Sequence, residues 1–318
     1  MRVLMVGAGS VGQVYGWHLQ QAGVEVHVYV RPKYVEEARA GYVLYPPGVR
    51  TPVRFHPDGV VTTPADVAAQ KWDQVWLCVS STALRGAWLA EITAAMGDAT
   101  LVSLLPGLRD RDLVAPLVAP ERLVIGLIAF SAWHAPLGGE PLPEPGMAWW
   151  HPPFTPSQFE GAPAAVDPIV TALKKGGCPA IKGDATAMAA RGSSFLLSLV
   201  AAMECAGWTF AGLRSARWAG LAAAAAKEAL TISTSHLGIS PGPLAWVLSP
   251  TLVRLTTRVV PLVAPMDFEA FLKSHFSKVG DQTLLALDLW ISEGQGRSLP
   301  VAALTELAGE LRRARGAA

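Results

Sequence analysis

The sequence predicts an α/β domain built on a doubly wound sheet, followed by an all-α domain, and three observations carry that prediction. Strand-like apolar runs alternate with segments of helical spacing from Met1 to Phe130, the pattern of a parallel sheet with crossover helices. Gly7, Gly9 and Gly12 follow the first run at the spacing that turns a strand into a helix. From Asp184 onward only helical periodicity is seen, with N-cap candidates at Asp184, Ser240 and Asp267. The domains are therefore expected to be residues 1–184 and 185–318.

Val3 to Val6 reads as a buried strand. Gly7 then permits the tight turn, Gly9 lets phosphates approach the backbone, and Gly12 lets the helix pack against the sheet. Ala8, Ser10 and Val11 complete the loop, so free N–H groups and a positive dipole end meet a pyrophosphate, which makes the first domain Rossmann-type. The second strand, Val24 to Val30, ends in Arg31-Pro32-Lys33. An NAD site wants an acidic residue there for the ribose 2′-hydroxyl; two cations instead suit a 2′-phosphate, so NADP(H) is favoured. The plain alternative is that Arg31 and Lys33 are solvated charges at a loop mouth.

Further along, Pro32 to Ala40 reads as a short helix, followed by a β-rich insert with turns at Pro46-Pro47-Gly48 and Pro57-Asp58-Gly59. Asp73 to Val79 is a strand ending at Ser80-Ser81, which places Ser80 at the crevice facing the cofactor. Thr82 to Met96 reads as a helix, Ala99 to Leu105 as a strand stopped by Pro106-Gly107, and Leu123 to Phe130 as another strand. Met147 to His151 and Ser157 to Glu160 look like an antiparallel extension turning at Pro152-Pro153; Ala164 to Lys175 is a helix and Ala180-Ile181 a last strand.

A chain of 318 residues has room for two cores. With 51% hydrophobic and 16% charged residues and a net charge of +1, nothing points to nucleic acid or a membrane surface as partner. The three cysteines lack metal-like spacing and read as small buried apolar residues in a reducing cytoplasm, with no metal site. The N-terminus is already a core strand, so no secretory segment is expected. Phe195 to Leu213 approaches membrane-span length but carries Glu204, so it reads as a buried helix with Glu204 paired to Arg214 or Lys227. Ala219 to Leu230 reads as close-packed helix, and no internal repeat is found.

This order of parts, from the glycine motif at residue seven through the Arg closing the second strand to Gly296-Arg-Ser-Leu-Pro300 before the last helix, resembles the ketopantoate reductase (2-dehydropantoate 2-reductase) family. The resemblance implies reduction of a 2-oxo acid by NADPH. It also implies a lysine acid on the first helix of the second domain, asparagines that orient the substrate, and a late serine and glutamate. Several positions depart from that pattern. Pro106 stands where the family has an asparagine, Arg191 where it has the lysine, Phe195 where it has a second asparagine, and Ser80 where it has a cation; Asp281 is the counterpart of its glutamate. Arginine, with a pKa above about 12, does not donate a proton near neutrality, but it clamps carboxylates well.

Candidate chemistry follows from these positions. His275, Lys278 and Asp281 recur at a spacing of three and form a polar row if one helix carries them, or else a solvated face. Ser193 and Ser194, read as lying near a helix start, either reach a substrate carbonyl or cap the helix. His134 and His151 read as structural. Trp133, Trp149, Trp150 and Trp208, among eleven tryptophans, either wall a site for a bulkier, less polar substrate or fill cores and an interface. The leading reading is a cytoplasmic, homodimeric, NADPH-dependent oxidoreductase acting on a carbonyl, hydroxyl or imine of a small organic molecule, with Arg191, Ser194, Lys278 and Asp281 at the reacting end. The alternatives are an NADP(H)-binding sensor or scaffold without turnover, and a non-redox reaction.

Overall fold

The structure is a computed structural model, and it describes residues 1–104, 107–137, 141–278 and 280–316. Two compact units emerge: Met1–Leu105 with Asp110–Thr186, and Pro106–Arg109 with Ala187–Ala318.

In the first unit the strands are β1 Arg2–Val6, β2 Glu25–Tyr29, β3 Tyr42–Tyr45, β4 Val53–Phe55, β5 Gly59–Val61, β6 Gln74–Leu77, β7 Thr100–Ser103, β8 Leu123–Leu127, β9 Ser131–Ala135, β10 Gly146–Trp150, β11 Ser157–Glu160 and β12 Ala180–Lys182. Its helices are α1 Ser10–Gln21, α2 Val35–Ala40, α3 Pro64–Ala68, α4 Trp88–Ala95, α5 Asp110–Val114 and α6 Pro163–Lys175. An eight-stranded sheet runs β12-β11-β8-β7-β6-β1-β2-β5. Its pairings are parallel except β11 with β8. Strands buried on both faces read as continuous apolar runs, and the pleat divides β1 between two cores. Val3 and Met5 join the core that holds Val14 and Leu19 of α1, whereas Leu4 and Val6 join the one that holds Leu89 and Ile92 of α4.

Where Thr82 to Met96 was expected as one helix, a 3-10 turn at Ala83–Arg85 precedes α4, because Gly86 is extended (φ −86°, ψ 154°). The expected antiparallel extension is also corrected. β10 pairs antiparallel with β9 and parallel with β3 in a separate sheet, β4-β3-β10-β9, while β11 joins the main sheet beside β8. Phe159 explains the choice: it is 1% exposed and packs edge-on against Trp76 of β6, with ring centroids 5.7 Å apart. Pro152 and Pro153 each lack an amide donor, so the chain leaves one sheet there instead of folding back on it.

The small sheet lies along α1. A Cβ on Gly16 would sit 2.7 Å from the Phe55 ring of β4, and Trp17 packs against Trp149 of β10 at 5.4 Å. Trp133 and Trp149 are core side chains at 8% and 2% exposure, which is the packing role weighed for the tryptophans. His134 is exposed on β9.

The second unit is helical: α7 Ala185–Cys205, α8 Phe210–Leu213, α9 Ala216–Leu237, α10 Leu244–Val247, α11 Pro250–Val263, α12 Phe268–Lys278, α13 Gly280–Gly296 and α14 Ala302–Ala314. Alanines at 222, 223, 225, 226 and 229 bury one side of α9; small side chains permit close helix approach, and α14, α11 and α13 all pack on it. The α9 carboxylate of Glu228 accepts from the backbone N–H groups of Ala303 and Leu304 at 3.1 and 2.9 Å, capping α14 from a distance. Asp267 accepts from the Ala270 N–H at 3.0 Å, as an N-cap does. Ser240 instead accepts from Gly242 N–H at 3.2 Å in a turn before α10, whose N-cap is Pro243.

Among the described residues α7 alone is long and apolar enough to cross a membrane, and 56% of its most apolar window is buried inside the protein. Its Glu204 pairs not with Arg214 or Lys227 but with Arg315, at 2.6 and 2.5 Å. Of the cysteines, all free, only Cys178 is fully buried; Cys78 and Cys205 are partly exposed.

Candidate functional site

Strand order reverses at β1, with β2 on one side and β6 on the other, so the carboxyl end of β1 is the topological switch point where ligands of such sheets bind. The turn there is built by glycine. Gly7 has φ +99°, and a Cβ on it would lie 2.8 Å from the Cys78 carbonyl oxygen beyond β6. A Cβ on Gly12 would lie 2.2 Å from the Gly7 oxygen, which explains why α1 closes so tightly on the strand. Gly9 has nothing within 4 Å of that position, so the loop is open where a phosphate would approach.

No side chain caps α1 at Gly9. The first N–H groups of a helix have no partner within it, so Ser10, Val11 and Gly12 present theirs at the positive end of the helix dipole. Gln13 Nε2 donates to the Ala8 oxygen at 2.8 Å and fixes the loop from behind. Ser80 follows β6 on the same rim and shares a 2.8 Å hydrogen bond with Thr82 Oγ1. After β2, Arg31 and Lys33 are exposed and flank the Tyr34 ring at 5.2 and 4.8 Å. Among the described residues neither is in an ion pair, and no carboxylate occupies residues 30–33. The residues present fit a dinucleotide: an open cradle of unpaired amides with two cations beyond it.

In the helical unit, Arg191 lies on α7 and donates from Nη2 to the Ser240 oxygen at 2.9 Å. Ser194 is fully buried in the middle of α7, not near its start. Its hydroxyl donates to the Ala190 oxygen at 2.7 Å and lies 3.4 Å from Ser233 Oγ, which in turn accepts from Trp290 Nε1 at 2.8 Å. That is an interior network rather than a surface aimed at substrate. Phe195 packs beside the small core of Ala226, Leu230 and Leu248. Pro106 lies outside the described residues.

His275 and Lys278 of the expected row lie on α12 and Asp281 lies on α13, and residue 279 between them is outside the described residues. His275 packs between the Phe271 and Phe276 rings at 5.6 and 4.9 Å, and burial holds its pKa below the usual histidine range. Lys278 and Asp281 are exposed, and the Asp281 charge acts on Arg315.

What sequence reading missed is a charge cluster around Glu293 of α13. The carboxylate, 7% exposed, accepts from Arg109 and Arg297 (Nε at 2.6 Å) and is bonded to His236 Nδ1 at 3.0 Å. The Arg109 hydrogen bond first, then those of Arg297 and His236, hold the Glu293 pKa down at about 2. The Glu293–Arg297 spacing of four was readable along one helix; Arg109, 184 residues away, was not. Arg109 is 49% exposed at its side chain.

Residues 3–137 match the family model for ketopantoate reductase PanE/ApbA. No curated protein matches the chain by sequence. Among solved structures, D-mandelate dehydrogenase with NADH and anilino(oxo)acetate superposes with a TM-score of 0.77 at 15% identity, over 99% of this chain and 98% of that one. The PanE/ApbA family ketopantoate reductase from Ralstonia eutropha JMP134 gives 0.76 at 19% identity, over 99% of each chain. The 2-dehydropantoate 2-reductase from Methylococcus capsulatus gives 0.73 at 16% identity, over 99% and 97%. Residues 3–137 are thus similar to the ketopantoate reductase PanE/ApbA family model, and the chain as a whole shares the fold of these solved structures.

Proposed function

We propose that the chain is an NADP(H)-dependent oxidoreductase that interconverts a small 2-oxo acid, or a related carbonyl or imine, with its reduced form. The observation that carries this reading is the glycine cradle at the switch point, closed between Gly7 and Gly12 and open over Gly9. Its amides, from Ala8 through Gly12, hold the pyrophosphate, Arg31 and Lys33 hold the 2′-phosphate, and Ser80 lines the rim. When bound, the nicotinamide supplies or accepts the hydride.

On the helical side Arg191 and Arg109 are the groups suited to a substrate carboxylate. Arg191 does not replace a lysine as acid, since a guanidinium keeps its proton. His236, oriented through Nδ1 by the buried Glu293, has the chemistry of a general acid and is assigned that role ahead of Lys278 and Asp281. The fold shared with a protein that holds anilino(oxo)acetate supports a substrate bulkier than ketopantoate, as does the loss of polar groups at Pro106 and Phe195. A homodimer in a reducing, cytoplasmic compartment belongs to the same reading. Trp246 and Leu262 are 89% and 82% exposed, and Leu255, Val259 and Leu262 share one face of α11, an apolar surface of the kind subunits cover.

The test is NADPH oxidation with a panel of aliphatic and aryl 2-oxo acids and imines, beside calorimetric titration with NADPH and NADH. Turnover with an aryl 2-oxo acid supports the proposal. Tight NADPH binding without turnover on any member favours a sensor or scaffold, and no binding of either nucleotide overturns the redox reading.

A further inference from the structure

Away from the cradle, three chemically reactive side chains converge inside the first unit: His18 of α1, His151 just after β10, and Cys178 between α6 and β12. One ligand-capable atom from each lies within 4.8 Å of the other two. His18 is 4% exposed and Cys178 1%. His18 Nδ1 donates to the Gly176 oxygen at 2.8 Å, which fixes the tautomer and leaves Nε2 with a bare lone pair. That Nε2 is buried without a partner, and so are both ring nitrogens of His151. Three orphaned nitrogens in one place are unusual, since buried polar groups are nearly always paired.

Among the described residues the rings packed on them make no hydrogen bond to these nitrogens, and the Trp149 indole Nε1 beside His18 is likewise unpartnered. Trp17 and Trp149 pack on His18 with centroids 4.9 and 5.6 Å away, and Phe130 packs on His151 at 5.4 Å. The nearby Tyr15 hydroxyl is already bonded to Ser157 Oγ at 2.8 Å. The approach of the α6–β12 turn to His18 is also specifically built: a Cβ on Gly176 would lie 1.8 Å from the His18 oxygen. A histidine whose second nitrogen is anchored to a backbone carbonyl is the usual form of a metal-ligating histidine.

We propose that His18 Nε2, a ring nitrogen of His151 and Cys178 Sγ form a zinc site, with a water or small anion as the fourth ligand. A mixed imidazole and thiolate set suits Zn²⁺. Tetrahedral Zn²⁺, with bonds of about 2.0–2.3 Å, needs ligand atoms about 3.4–3.8 Å apart, so the cluster is one small contraction from binding geometry. His151, in a loop outside regular structure, is the group that moves. Binding replaces the S–H bond of Cys178 with a Zn–S bond and releases one proton to solvent. The site ties α1 to the α6–β12 turn and to the small sheet.

The test uses the full chain, stripped with a chelator and titrated with Zn²⁺ and with Co²⁺. One equivalent of each is expected, with a thiolate-to-cobalt charge-transfer band in the Co²⁺ form, and Cys178→Ser and His151→Gln each weaken zinc at least about 100-fold while circular dichroism stays unchanged. If the variants fail to fold, the wild type decides: Zn²⁺ must slow alkylation of Cys178, read by mass spectrometry, and leave Cys78 and Cys205 unaffected. No stoichiometric zinc, a cobalt complex without the thiolate band, equal affinity in both folded variants, or alkylation of Cys178 indifferent to zinc each overturn the proposal. NADPH binding by the stripped protein is measured in parallel and does not bear on it.

Discussion

Replacing Glu293 by Gln removes the negative charge at the centre of the Arg109, Arg297 and His236 cluster and keeps the shape of the side chain. A carboxyl held at about 2 in the folded protein, against about 4.3 in an unfolded chain, contributes on the order of 3 kcal/mol at neutral pH. The two arginines are 49% and 39% exposed at their side chains, so solvent screening lowers the expected loss to about 2 kcal/mol. The sign follows from the depressed pKa: the contribution is fully present above about pH 4.3 and fades as pH falls toward about 2. Urea denaturation of wild type and Glu293→Gln, followed by circular dichroism across that range, measures it. The stability gap between the two proteins should be about 2 kcal/mol at neutral pH and close toward zero near pH 2. A gap below about 0.5 kcal/mol at neutral pH, or one that does not shrink on acidification, refutes the reasoning. Surface pairs give values that small.

Two glycine substitutions separate folding from binding. Gly9→Ala meets nothing within 4 Å, so the protein should fold as wild type while its methyl group obstructs the phosphate, raising the Kd for NADPH at least about tenfold, or about 1.4 kcal/mol, by calorimetry. Gly12→Ala drives a Cβ into the Gly7 carbonyl and should lower the melting temperature as well, by about 1–3 kcal/mol of overpacking. The double variant Arg31→Ala, Lys33→Ala should weaken NADPH about 10–100-fold, as expected for charged hydrogen bonds to a phosphate, with little change for NADH; equal losses for both nucleotides would remove the 2′-phosphate assignment. Glu228→Ala, which uncaps α14, should cost about 0.5–2 kcal/mol, read by denaturation, with hydrogen exchange rising first at Ala303 and Leu304.

How much was legible in the sequence depended on how local the cause was. β1, α1 and β2 were readable because glycine spacing and an apolar run act within a few residues of one another, and the parallel strands β6, β7 and β8 announced themselves as apolar runs between turn residues. Alternation identified β10 and β11 as strands but said nothing of their partners, and they joined different sheets: Phe159 of β11 packs on Trp76 of the main sheet, and Trp149 of β10 packs on Trp17 of α1. Charge pairing was the least legible. Glu204 finds Arg315 111 residues away, not the Arg214 or Lys227 that lie closer in sequence. Spacing within a helix is information the sequence holds; which distant cation faces a buried carboxylate is decided only by packing.

The position of α1 between two sheets has a consequence for how the protein tolerates change. Gly12 admits one sheet and Gly16 the other, so the helix behind the glycine turn has neighbours on opposite sides and no slack to adapt. The loop after β2, by contrast, carries Arg31 and Lys33 into solvent on side chains bound to little but Tyr34. On the proposed reading, whether any dinucleotide is held is locked into the interior, while the choice between phosphorylated and unphosphorylated forms rests on a part that can be rewritten without disturbing the rest.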